Sequence, residues 1–360
     1  MAHFKDWFGK VRKSESPMRK LYFLVPGLGG KYRCGGLFAE LKTWKLARQI
    51  CPAEVVTYRQ REPATLFLQD LLQEKNLTNL AFVLSWGFDV PWLARQLSSY
   101  PLLYHAHSTG YNFSLPAQIP ILTVSRHSLG YWGQKAPHSL LYCLPNHISE
   151  EFVNLQLERD IDILVQVRKS SEYLLSSLLP ELQKHCRVEV VDRYVEDLAA
   201  LFNRTKIYLY DSAEYWAQQR VSEGFGLQPL EAIACGCQVF SSVNGGLADY
   251  LDPGFNCQKI AGYALEFDRD RILRALQNPH SQEFSPLQLA EYRQENLLQR
   301  LGVILQDVND FWDALPTYKK NIPPLTKVRL LQLQYRSLRS KIQQKLKLAT
   351  RSVESLEMRH

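Results

Sequence analysis

Apolar residues along this chain alternate between short continuous runs and longer stretches in which they return every three or four positions. Residues 21–25 form such a run and end in the loop PGLGGKYRCGG; Leu37, Leu41, Trp44 and Ala47 follow at helical spacing, and a second β-rich run occupies residues 54–57. The order predicts a strand, a glycine loop, a helix and a strand. Further short runs at residues 81–84, 102–105 and 119–124, separated by helical or loop stretches, predict a parallel sheet covered on both faces. This first α/β domain should end near Asn146. After a linker at residues 145–159 the cycle restarts, with strands at 161–167, 188–191, 207–210 and 238–241 and helices at 174–182 and 196–202. The expected segments are 1–20 (N-terminal), 21–150 (first domain), 151–310 (second domain) and 311–360 (helical extension).

The second domain carries the chemistry. Residues 222–249 read SEGFGLQPLEAIACGCQVFSSVNGGLAD, in which Glu223 and Glu231 flank a Gly-Phe-Gly turn that enters a short helix. Gly224 and Gly226 lack a Cβ and let backbone come close to a ligand. Pro229 suits the first helical turn, where its missing N–H is not needed. The free N–H groups of that turn, with the positive end of the helix dipole, favour a phosphate, which leaves the two glutamates to read neutral hydroxyls beside it. A sugar joined to a diphosphate meets both demands. A purely structural role for Glu231 in a capping box would require Ser or Thr at position 228, where the chain has Gln.

The stretch EGFGLQPLEAIACG followed by a small-residue strand and GGLAD resembles the signature of retaining GT-B glycosyltransferases of the large family-four group, which use nucleotide sugars. The resemblance implies an α/β fold of two Rossmann-like domains facing a central cleft. It implies that Glu223 contacts donor-sugar hydroxyls, that Glu231 holds the nucleotide ribose, and that backbone at Gly224, Phe225, Gly226 and Leu227 touches the diphosphate or sugar. The family's diphosphate-neutralising cations correspond to Arg168 and Lys169, directly after a strand; adjacent residues in extended chain point oppositely, so the two need not both reach the phosphate. The glycine loop of the first domain corresponds to GLGGKYRCGG, with Gly35 and Gly36 favoured over Gly29 and Gly30 because they lead into a helix. The family's first-domain histidine is matched by His107, with His105 two residues earlier as the alternative. Asp211 and Ser212 stand where the family often has Pro-Ser, and AEYWAQQRV follows as extra sequence beside the donor site. The implied reaction is sugar transfer from a nucleotide diphosphate to a hydroxyl of a glycan or lipid, with retention at the anomeric carbon. It needs no metal, no cofactor and no covalent protein nucleophile. The rival expectation is a GT-B-like protein that binds a nucleotide sugar or a partner without catalysis.

Composition narrows the setting. With 360 residues, 46% of them hydrophobic, the chain is long enough for two packed domains. No apolar run reaches the ~18 residues needed to span a bilayer, and the start, MAHFKDWFGKVRKSESPMRK, has no apolar leader core. Together with seven cysteines in no framework spacing, this predicts a reducing, cytoplasmic setting. Cys235 and Cys237 lack the second pair a zinc site would need, so they are read as structural thiols. The net charge of +7 is concentrated at the ends: residues 319–351 hold ten Lys or Arg and no acid, whereas residues 21–318 sum to −6. An acidic body with basic ends disfavours nucleic acid and points to a contact made by the termini. Phe4, Trp7, Phe8 and Val11, and then Val328, Leu331, Tyr335, Leu338 and Ile342, form apolar stripes among cations. Such stripes suit the inner face of an anionic membrane, or packing against the body or a partner helix.

Overall fold

The computed structural model describes residues 17–74, 77–260, 262–278, 286–317 and 325–357. The expected N-terminal stripe of Phe4, Trp7, Phe8 and Val11 lies outside them. In the first half the strands are β1 (Lys20–Val25), β2 (Ala53–Thr57), β3 (Leu66–Phe67), β4 (Leu80–Leu84), β5 (Leu102–Ala106), β6 (Ser108–Thr109), β7 (Ile121–Thr123) and β8 (Leu141–Cys143). All but β6 form one sheet in the order β3-β2-β1-β4-β5-β7-β8, and every pairing in it is parallel. The central strand β4, LAFVL, is buried at each position, as a strand covered on both faces must be. The helix Gly35–Ala47 leaves the glycine loop after β1 and buries Leu37, Ala39, Glu40, Thr43, Leu46 and Ala47. Its inward face is therefore rotated from the expected Leu37, Leu41, Trp44 stripe, and it includes a carboxylate.

The second half repeats the plan with β9 (Ile161–Gln166), β10 (Val188–Val191), β11 (Thr205–Tyr210), β12 (Ser222–Glu223), β13 (Gln238–Ser241) and β14 (Gln258–Lys259). Its five-stranded sheet has the order β10-β9-β11-β13-β14 and is parallel throughout. Where the periodicity predicts a helix over 174–182, a π-helical segment Leu174–Leu178 precedes a short α-helix Leu179–Leu182. Pro180 has no N–H to return to the carbonyl one turn earlier, and the ladder widens ahead of it.

The remaining strands, β6 and β12, join the halves. They pair antiparallel, Thr109 opposite Ser222 and Ser108 opposite Glu223, and Ser222 Oγ lies 2.5 Å from Thr109 Oγ1 and 3.0 Å from His127 Nε2. A second seam is made by Asp249 of the GGLAD turn, which accepts from the backbone N–H of Arg126 at 2.9 Å at the start of the helix Arg126–Lys135. The long helix Gln294–Ala314 buries Leu297, Leu301, Leu305, Val308 and Trp312. It returns to the first sheet: Arg300 donates to the Cys143 carbonyl at 2.9 Å, and Tyr142 donates to Asp307 at 2.5 Å.

Residues from Ala314 onward form a separate compact unit. Its described part is dominated by the helix Lys327–Glu357, along which Val328, Leu331, Tyr335, Leu338 and Ile342 are exposed. No helix among the described residues is long and apolar enough to cross a membrane.

Candidate active site

Glu223 is fixed at the point where the two halves meet. Its Oε2 accepts hydrogen bonds from the Tyr210 hydroxyl at 2.5 Å, the Ser212 hydroxyl at 2.8 Å and the Trp216 indole N–H at 2.6 Å. The donors come from the end of β11 and from the helix Ala213–Gln218 that follows it. Burial pushes the Tyr210 hydroxyl well above its ordinary range, with the Glu223 charge second, so Tyr210 stays a donor. On the other oxygen, Lys169 Nζ lies 3.8 Å from Oε1 and 4.4 Å from the centre of the Trp216 ring. Lys169 reaches this place from a left-handed backbone, φ +72°, a conformation uncommon for non-glycine residues. Arg168, one position earlier, is exposed. β9 ends at Gln166 and both cations stand in the turn after it, so the turn, and not the expected strand alternation, brings Lys169 to the carboxylate while Arg168 stays exposed.

The turn after Glu223 needs its glycines for two different reasons. A Cβ on Gly224 would stand 1.8 Å from the His107 carbonyl oxygen of the first domain, so the close approach of the two halves requires a bare backbone. Gly226 has φ +77° and is the N-cap of the helix Leu227–Ala234, with no side chain capping it. Tyr250 donates its hydroxyl to the carbonyls of Phe225, at 3.1 Å, and Gly226. The first N–H groups of the helix have no intrahelical partner, and this uncapped end is where an anion would be held. Glu231 lies one turn inside. It is buried, and burial raises its carboxyl to about 7, against the nearby positive charge of Lys42. Lys42 comes from the first-domain helix Gly35–Ala47 and donates to the His147 carbonyl at 3.4 Å; burial pulls its ammonium down, while the Glu231 and Glu151 charges push it back up. Cys235 and Cys237, just beyond, are free, buried thiols.

On the first-domain side, Gly35 and Gly36 open the helix Gly35–Ala47 at an exposed position. A Cβ on Gly35 would meet open space. The fold itself therefore does not require glycine at this position. His107 and His105 do not compete for one role, because both bind one carboxylate. Glu40 Oε2 lies 2.6 Å from His105 Nδ1 and 2.8 Å from His107 Nε2. A carboxylate only accepts, so each of these nitrogens carries its proton. Glu40 Oε1, His105 Nε2 and His107 Nδ1 are buried with no hydrogen-bond partner among the described residues. Burial alone would raise the Glu40 carboxyl; the charge and hydrogen bond of His105, then those of His107, overcome it and hold Glu40 at about 2. Burial and the neighbouring His105 push the His107 imidazole down, against the pull of Glu40, which favours its neutral form. Glu40, His105 and His107 are also the group of three possible metal ligands among the described residues. Their 2.6 and 2.8 Å separations are hydrogen-bond distances, shorter than the about 3.3 Å between neighbouring ligands that metal bonds of about 2.0–2.1 Å impose in a tetrahedron. The cluster as it stands is a hydrogen-bonded hub.

The structure therefore gathers Glu223, Lys169 and the Gly224 to Leu227 turn into one place, and it sets the His107 backbone against Gly224. Three participants escape the motif. Glu40 is disguised as one more acidic residue of an amphipathic helix, although its position three after Leu37 and three before Thr43 puts it on the inward face. Lys42 sits on the same helix without a pattern that marks it. Trp216 lies in the stretch that departs from the family's signature, and that departure was its one signal.

Comparison with known proteins bears on the fold. Residues 168–287 match the family model of glycosyl transferases group 1. None of the curated proteins matches the chain by sequence. Among solved structures, a sucrose-phosphate synthase from Thermosynechococcus elongatus superposes with a TM-score of 0.58 at 14% identity over 81% of this chain and 99% of that one. The pneumococcal O-GlcNAc transferase GtfA, in complex with UDP and GlcNAc, superposes with 0.57 at 9% identity over 81% and 99%, and Anabaena HepE in complex with UDP-glucose with 0.51 at 14% over 83% and 100%. Two parallel-sheet α/β domains in this arrangement are the GT-B fold.

Proposed function

From a glycosyl transferases group 1 domain set in a GT-B fold, we propose that this protein is a glycosyltransferase that moves a sugar from a nucleotide-diphosphate donor to a hydroxyl of a glycan or lipid, with retention at the anomeric carbon. The observation that carries the reading is the pairing of Glu223, its Oε2 held by three donors, with Lys169 and the uncapped helix start at Gly226. A carboxylate fixed in this way can read sugar hydroxyls, while the ammonium and the free N–H groups stabilise the charge that grows on the departing diphosphate. That cation and helix end take the part a divalent ion plays elsewhere, so the reaction needs no metal. Glu231 accepts from the ribose. Arg168 joins the diphosphate once the donor is bound. His107, neutral and tied to Glu40, faces the reacting sugar from the first domain, and Gly35 and Gly36 let the donor approach. HepE binds a donor of this type, UDP-glucose, and GtfA binds UDP and GlcNAc. Glu223 serves to position the sugar and forms no covalent intermediate; the incoming hydroxyl attacks from the face that the diphosphate leaves, and its proton passes to the departing phosphate oxygen as the sugar–phosphate bond breaks.

The helix Lys327–Glu357 supports an anionic lipid surface as the third partner. Its exposed apolar stripe runs through a segment, residues 319–351, with ten cations and no acid, the composition that negatively charged headgroups attract. A second copy of the same helix would meet it with like charge.

The test is a panel of UDP-, GDP- and ADP-sugars in EDTA. One class should stabilise the fold by about 2.7 kcal/mol at 100 times its Kd and be slowly hydrolysed, with water taking the place of the acceptor hydroxyl, to free sugar and its nucleoside diphosphate. A strict requirement for Mg²⁺ or Mn²⁺ would contradict the metal-free reading.

A further inference from the structure

We propose that Trp216 is a positioning residue of the donor-sugar subsite, holding Glu223 through its indole N–H and Lys169 through its ring face; this rests on the nucleotide-sugar reading above. Trp216 stands on the inserted helix Ala213–Gln218, outside the signature that contains both glutamates. That helix is anchored at its start, where Ser242 Oγ accepts from the backbone N–H groups of Ser212 and Ala213 at 3.0 and 3.2 Å. Glu214 then accepts from the Glu172 N–H at 2.9 Å. Beyond the helix, the Val221 N–H returns to the Trp216 carbonyl at 3.2 Å. The indole is thus presented by a braced element.

Its two contacts divide the Glu223 carboxylate by function. A carboxylate offers about four lone-pair positions over two oxygens. Tyr210, Ser212 and Trp216 all donate to Oε2, at 2.5, 2.8 and 2.6 Å. Three donors on one oxygen stop the group rotating and leave Oε1 to accept from a sugar hydroxyl. Oε1 is also the oxygen that Lys169 approaches, at 3.8 Å, and the ammonium is kept there by the π face of Trp216 at 4.4 Å. A cation above an indole is the stronger kind of cation–π contact. It holds a long, flexible side chain, already set on a left-handed backbone, beside the uncapped helix start where the diphosphate binds. One residue therefore ties the group that reads the sugar to the group that meets the phosphate.

The two contacts can be separated by substitution. Trp216→Phe keeps a ring for Lys169 and removes the N–H; Trp216→Leu removes both. The probes are the tightest-binding nucleotide sugar from a panel of UDP-, GDP- and ADP-sugars and its own nucleoside diphosphate, titrated calorimetrically into wild type and both variants. In Trp216→Phe the nucleoside diphosphate should bind within twofold of wild type, while the extra affinity conferred by the sugar falls about tenfold, the size expected for a hydrogen bond to a charged group. In Trp216→Leu the nucleoside diphosphate itself should weaken, by more than in Trp216→Phe. The proposal is overturned if the sugar's contribution in Trp216→Phe equals that of wild type. It is equally overturned if both variants lose affinity for both probes in equal measure together with melting temperature, as a merely structural residue would cause. A wild-type protein that binds none of the panel would remove the nucleotide-sugar reading itself, and this inference with it.

Discussion

Glu231 gives the residue-level account its clearest pH dependence. Burial raises its carboxyl from 4.5 to about 7, so without donor the folded chain prefers it protonated; that contribution to stability is complete below 4.5 and is lost as the pH rises through about 7. Ribose hydroxyls donate to the ionised form, so nucleoside diphosphate affinity should rise between pH 6 and 8. In Glu231→Gln this component should disappear, leaving only the change due to the ligand's own phosphate, and an unchanged profile would remove Glu231 from the ribose. Glu40 behaves in the opposite sense. Its carboxyl is held at about 2 against an ordinary 4.5, so its stabilisation is present above 4.5 and is lost as the pH falls through about 2. His107, kept neutral, adds a penalty for acid below its ordinary 6.5. Glu40→Ala leaves the buried N–H donors of His105 and His107 without their shared acceptor and should cost about 1–3 kcal/mol for each; a melting temperature within a degree of wild type would show that the hub is not structural. Legibility at this scale follows sequence distance. Glu223, Glu231 and the intervening glycines are local and could be read together, whereas Glu40 meets its histidines across 65 and 67 positions. No pattern of nearby residues encodes such a contact.

At the scale of elements, the pairing of β6 with β12 decides how closely the two halves meet at Glu223. Gly224→Ala puts a methyl where the His107 carbonyl already stands. It should cost about 1–3 kcal/mol as an overpacked contact and depress turnover through separation of the two walls of the site. Retention of wild-type melting temperature and rate would mean that the two strands do not pair in solution. The alternation of apolar runs predicted the longer strands of both sheets, because a parallel strand buried on both faces reads as a continuous hydrophobic segment, but it missed the short edge strands β3, β8 and β14. It could not predict β6 or β12, which are two residues each and are held by a partner from the other half. The π segment at Leu174–Leu178 was hidden for a similar reason: its residues are apolar at helical spacing, and only the ladder shift ahead of Pro180 distinguishes it. The inserted helix Ala213–Gln218 was visible as a departure from the family pattern, but its role depends on the direction in which Trp216 points.

For the molecule as a whole, the proposed donor site at the junction of the halves of a GT-B body and the exposed apolar stripe on the cationic helix Lys327–Glu357 lead to the proposal of an enzyme that works on acceptors at a lipid surface. Binding to anionic vesicles should fall steeply with salt. Replacing Arg336, Arg339 and Lys341 by Glu should weaken it by at least the about 1 kcal/mol that each cation contributes near such a surface. Equal binding to neutral and anionic vesicles, or none to either at low salt, would assign the stripe to another partner. The central claim, a metal-free nucleotide-sugar site organised by Glu223, Lys169 and Glu231, is tested most directly by calorimetric titration of the panel's nucleoside diphosphates and their sugars in EDTA, with wild type and Glu231→Ala side by side. The account predicts one-to-one binding of one nucleotide class to wild type without added metal, weakened at least tenfold in Glu231→Ala with the melting temperature preserved. Binding that appears only with a divalent ion, or an affinity that Glu231→Ala leaves unchanged, would contradict it.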